Sequence, residues 1–66
     1  MKAQMLQALR KRFEGEIESH KMNVEVYLEN PAGIGEHPDI VEAVEQELAK
    51  LAEADEKLAT LEKYWK

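Results

Sequence analysis

Both prolines and two of the three glycines of this 66-residue chain fall between Pro31 and Pro38, in the run Asn30-Pro-Ala-Gly-Ile-Gly-Glu-His37 followed by Pro38-Asp39. Proline has no amide to continue a helix, and it biases the residue before it away from helical angles. Gly33 and Gly35 open backbone angles that other residues avoid. A helix cannot be carried through this segment. What remains is two runs of nearly equal length, so the fold expected is all-α: a single domain over 1–66, with a helix over 2–29, a turn over 30–37 and an antiparallel helix over 38–65.

The apolar spacing on either side is helical, not alternating. In the first run Leu6, Phe13, His20 and Tyr27 recur every seven residues, beside Ala3, Arg10, Ile17 and Val24, with Leu9 and Leu28 flanking. The opposite face, from Gln4 through Lys11 and Glu18 to Glu25, is polar. In the second run the stripe is Val44, Leu51, Leu58 and Trp65, with Ile40, Ala54 and Leu61 on one shoulder and Val41 and Leu48 on the other. Pro38 suits a first helical position, and Asp39 with Glu42 has capping-box spacing, which could move the start by a residue. Glu53 with Lys57 and Glu62 with Lys66 are i,i+4 pairs of the favoured polarity. The pairing expected across the hairpin sets His20 near Leu48, Ile17 near Leu51 and Phe13 near Asp55. Its core would be Leu6, Leu9, Phe13, Ile17, Val24, Tyr27, Val44, Leu48, Leu51, Leu58, Leu61 and Trp65.

A chain this small buries little of its surface, and ordering it costs roughly 1.5 kcal/mol per residue. Each run also has a second shoulder of apolar and small residues: Met5, Ala8, Gly15, Ser19, Met22 and Val26 in the first, and Ala52 and Ala59 in the second, where Ala43 and Tyr64 widen the stripe the other way. Arcs this broad suit helices with more than one neighbour. The expectation is therefore a homodimer, two hairpins forming a four-helix bundle. Gly15 is either a point of close backbone approach in that second interface or a tolerated imperfection of a long helix.

Few residues carry chemistry. There is no cysteine, which excludes disulfides and thiolate zinc sites. His20 with Glu16 one turn earlier is the only pair that suggests a metal or a general base, and a site needs three or four ligands; a packed histidine is the simpler reading. Gly33 and Gly35 lack the strand, the third glycine and the Lys-Ser/Thr of a phosphate loop. No nucleophile–base set stands out, so no enzymatic activity, cofactor, metal or small-molecule substrate is expected. The net charge of −5 weighs against nucleic acid as the default partner. No apolar stretch approaches the ~18–20 residues of a membrane span, and the first residues do not read as a signal peptide, so a cytoplasmic protein is expected.

Two surfaces remain. The turn residues Asn30, Gly33, Ile34, Gly35 and His37 carry more sequence detail than a minimal helix connection needs, which points to a protein partner there. Lys2, Arg10, Lys11 and Arg12 form a basic N-terminal patch without any acid among residues 1–12, whereas residues 13–29 hold five glutamates against Lys21. That patch either pairs with Asp55 and Glu56 or contacts nucleic acid. In the second case the chain would act like the hairpin-dimer regulator of plasmid copy number.

The stretch from Val26-Tyr27-Leu28-Glu29-Asn30 through Pro31-Ala32-Gly33-Ile34-Gly35 to Glu36-His37-Pro38-Asp39-Ile40 resembles a segment of short helical proteins of tailed phages related to the T-even group, marine phages among them. The likeness is strong at the turn and is a matter of pattern in the flanking helices. It implies a viral or metagenomic origin and synthesis in a bacterial cytoplasm. It transfers no catalytic role to any residue.

Overall fold

Two long helices account for almost all of the residues described in the computed structural model, which are 1–29 and 39–66. α1 spans Lys2–Glu29 and α2 spans Ile40–Tyr64. They pack side by side in a body of 46 × 15 × 15 Å. The expected turn over 30–37, with Asn30, Gly33, Ile34, Gly35 and His37, lies outside the described residues.

The antiparallel register shows in the pairs that cross the seam. His20 meets Glu47 at 2.8 Å, and the Lys57 ammonium stands 5.9 Å from the centre of the Phe13 ring. These contacts lie within a residue or two of the pairings read from the spacing.

The start of α2 is set by Asp39, later than the expected residue 38. Asp39 has extended angles (φ −132°, ψ 92°), and its carboxylate accepts the Glu42 amide at 2.9 Å. It is thus the cap outside the helix, satisfying one of the amides that the first turn leaves open. The far end stops at Tyr64 and not at 65, because Trp65 leaves helical geometry (φ −135°, ψ 64°) while its amide still bonds the Leu61 carbonyl at 2.9 Å. Lys63 in the last turn suits the negative helix end. Of the two i,i+4 pairs, Glu53–Lys57 forms at 2.9 Å. No ion pair joins Glu62 to Lys66 among the described residues.

The core is thinner than the stripe suggests. Among the described residues only Ala43, Ala54 and Leu61 are buried, and no large side chain is fully enclosed. Leu6, Leu9, Phe13, Ile17, Val24, Tyr27, Val44, Leu51 and Leu58 are half-buried, whereas Leu48 and Trp65, expected inside, are exposed. The reason is geometric. The small side chains of Ala43 and Ala54 sit on the line of contact, so the larger ones flank it with one side open to water. The polar face of α1 is exposed as read, Gln4, Lys11, Glu18 and Glu25 included.

Replacing the cap by Asp39→Ala should lower stability by about 1 kcal/mol, measured by urea denaturation followed by far-UV circular dichroism. An unchanged midpoint would show that the cap is idle.

Candidate functional site

Three surfaces were open to a functional reading: the seam histidine, the basic patch and the apolar faces left uncovered by the hairpin.

At the seam, Glu47 is the hub. Its Oε1 accepts from Asn23 Nδ2 at 2.8 Å and lies 2.8 Å from His20 Nδ1; its Oε2 is 3.7 Å from Lys50 Nζ. A carboxylate can only accept, so His20 Nδ1 carries the hydrogen, either as that tautomer or as imidazolium. Hydrogen bonds from Asn23 and then His20 hold the Glu47 carboxyl below the usual glutamate range, and Lys50 adds to this. The cluster satisfies itself. A slip of one helical turn would leave the carboxylate with only one of these two donors, so the full set of bonds favours this register. Among the described residues no group of three or more histidines and acids is arranged to hold a metal ion. His20 thus packs against a partner the spacing did not single out: it faces Glu47, one residue before the expected Leu48, and Glu16 is not in its hydrogen-bond set. The signal for Glu47 lay in the series Ile40, Ala54 and Leu61, where the missing seven-residue member is an acid. An acid in an apolar series, opposite a seam histidine, is the mark of a cross-helix pair.

The basic patch is laid out along the first turns of α1. Lys2, Lys11 and Arg12 are exposed and Arg10 is half-buried. Arg10 donates to the Gln7 side-chain oxygen at 3.2 Å. Among the described residues no ion pair links Arg10, Lys11 or Arg12 to Asp55 or Glu56, so the pairing considered for this patch is not formed. Lys57, which lies 5.9 Å from the centre of the Phe13 ring, does engage a carboxylate. A hydrogen bond to Glu53 holds its ammonium above the usual lysine value, and Glu16 across the seam adds to the effect. The Glu53 carboxyl is lowered in turn by the Lys57 hydrogen bond.

The apolar faces are the largest feature. Among the described residues nine large hydrophobic side chains are at least 47% exposed, with Val41 at 80%, Leu28 at 67% and Leu48 at 48% among them. At the end of the hairpin where Glu29 and Asp39 lie, Tyr27, Leu28, Ile40, Val41, Val44 and Leu48 line an open groove of about 520 Å³ with Glu45 on its rim. At the other end a second groove of about 520 Å³ runs between Leu9, Phe13, Leu61 and Trp65. Tyr64 and Trp65 meet edge to face, 5.9 Å between ring centres, both well exposed. A Cβ placed on Gly15 would meet nothing within 4 Å, so no close approach occurs there within one hairpin. Among the described residues no helix is long and apolar enough to cross a membrane.

Compared with known protein families, with curated proteins and with solved structures, the chain gives no match.

Glu47 has a folded pKa below its ordinary value of 4.5. Its contribution is therefore present above that value and is lost as the pH falls through the folded one. Glu47→Ala should lower stability by about 1 kcal/mol at pH 7, and the difference from the wild type should shrink as the pH falls below 4.5. Urea melts stepped downward from pH 7 check this; a penalty that does not change with pH would mean that the carboxylate charge is immaterial.

Proposed function

We propose that this chain is a non-enzymatic structural or adaptor module. It self-associates through its uncovered apolar faces into a four-helix bundle, and it binds a protein partner through Asn30, Gly33, Ile34, Gly35 and His37. The likeness of residues 26–40 to phage proteins supports a setting in phage assembly or host takeover in a bacterial cytoplasm. The observation that carries the reading is the exposure of Leu28, Val41 and Leu48 on helices whose shared seam buries only Ala43, Ala54 and Leu61 among the described residues. Isolated helices draw most of their stability from tertiary packing of an apolar face. A contiguous apolar surface on a small chain marks a place where another protein sits.

A second reading has one observation in its favour: no carboxylate of α2 neutralises Arg10, Lys11 or Arg12 among the described residues. In it the patch, with Lys2 and doubled by twofold symmetry, contacts nucleic acid phosphates. Failure to bind a labelled oligonucleotide in ~50 mM salt would remove it.

Sedimentation equilibrium at micromolar concentration should give twice the 7.6 kDa mass of one chain. Leu48→Glu, which places a charge on the uncovered face, should weaken the dimer at least about tenfold. A wild-type monomer would overturn the self-association.

A further inference from the structure

The hairpin is an electrostatic rod with unlike ends. Residues 1–12 carry Lys2, Arg10, Lys11 and Arg12 and no acid, while residues 55–66 carry three acids and three lysines that cancel. The register of the seam brings these two segments together, so the end holding both termini has a formal charge of +4. Residues 13–29 carry five glutamates against Lys21, and residues 39–54 carry five acids against Lys50. The described residues of the other end therefore hold −8. Most of these groups are exposed, and none of the first cluster is neutralised by α2 among the described residues.

We infer that a second copy of this chain docks head to tail, with the basic end of each hairpin against the acidic end of the other. This rests on the self-association proposed above and assigns its orientation. Placing like ends together would set −8 beside −8 and +4 beside +4. The reversed arrangement sets +4 beside −8 twice. Adjacent helices lie 8–10 Å apart, about one Debye length at physiological salt, so the charges across such an interface are only partly screened. Charge arrangement of this kind selects orientation more than it adds affinity.

The surface available matches the task. One long face of a body 46 Å by 15 Å is on the order of 700 Å², close to the ~800 Å² per partner of a standard interface. The groove of Tyr27, Leu28, Ile40, Val41, Val44 and Leu48 lies at the acidic end with Glu45 on its rim. Head-to-tail docking brings the basic half of the second copy to this groove, where Glu45 offers a carboxylate to the Arg10–Arg12 cluster. The twofold axis then crosses the rod near its middle, perpendicular to its length.

The chain has no cysteine, so single labels can be placed without background. Spin labels on Lys63→Cys, at the basic end, and separately on Glu25→Cys, at the acidic end, are read by pulsed dipolar spectroscopy on the full-length dimer. Both sites are exposed on helices. Head-to-tail docking predicts about 30 Å between like labels, because each lies roughly ten residues from the rod's middle at ~1.5 Å per residue, and a short distance in a mixture of the two variants. Arg12→Glu should also weaken the dimer, by about threefold. Like-label distances within roughly 20 Å, two helix spacings, would overturn the orientation and leave the dimer standing. A labelled sample that sediments as a monomer, as the wild type also would, overturns both this inference and the self-association.

Discussion

Everything in this molecule follows from how narrow the seam between its two helices is. The line of contact is occupied by Ala43 and Ala54, with Leu61 the single large apolar side chain buried among the described residues. Alanine on the contact line lets the helices approach, but it contributes little apolar area. The larger residues, from Phe13 and Ile17 to Leu51 and Leu58, lean over the seam half in water. A partner lying along those flanks would complete their burial, at roughly 25 cal/mol for each Å² of apolar surface withdrawn from water. Uncovered flanks are thus the other side of a thin core, and the functional reading proposed here grows from that one trait.

The polar elements complement the apolar ones by setting position. Glu47 collects His20, Asn23 and Lys50 at one level of the rod, which fixes which turn of α1 faces which turn of α2. Asp39 fixes where α2 begins. Lys57, held by Glu53 and lying over Phe13, shields one side of the seam near the open end. None of these contacts is individually large, since most involve exposed groups. Together they specify a single register for a pair of helices whose apolar stripe alone would tolerate sliding.

Much of this was legible in the residues. The proline and glycine punctuation divided the chain correctly into two helices, and seven-residue spacing identified the seam face of α1 from Leu6 to Tyr27. Spacing was less informative on α2, where small residues matter. Ala43 stands to one side of the seven-residue stripe, yet it is buried, because closeness of approach favours the smallest side chain there. Leu48 and Trp65 satisfied the pattern and still face water: periodicity says which residues share a face, not how far the neighbouring helix reaches across it. The Glu47 cluster was missed because an acid in an apolar series reads as an interruption until a histidine is placed opposite. The turn residues Asn30, Gly33, Ile34, Gly35 and His37, outside the described residues, keep the role proposed for them on sequence alone.

If the hairpin depends on a second copy to cover its flanks, folding and association are one process, and stability must depend on protein concentration. Thermal unfolding by circular dichroism, at chain concentrations spanning roughly 5 to 500 µM, reads this directly. The account predicts a midpoint that climbs by several degrees across the range. A sharp, cooperative transition at the same temperature throughout would show that the narrow seam suffices by itself, and would contradict it.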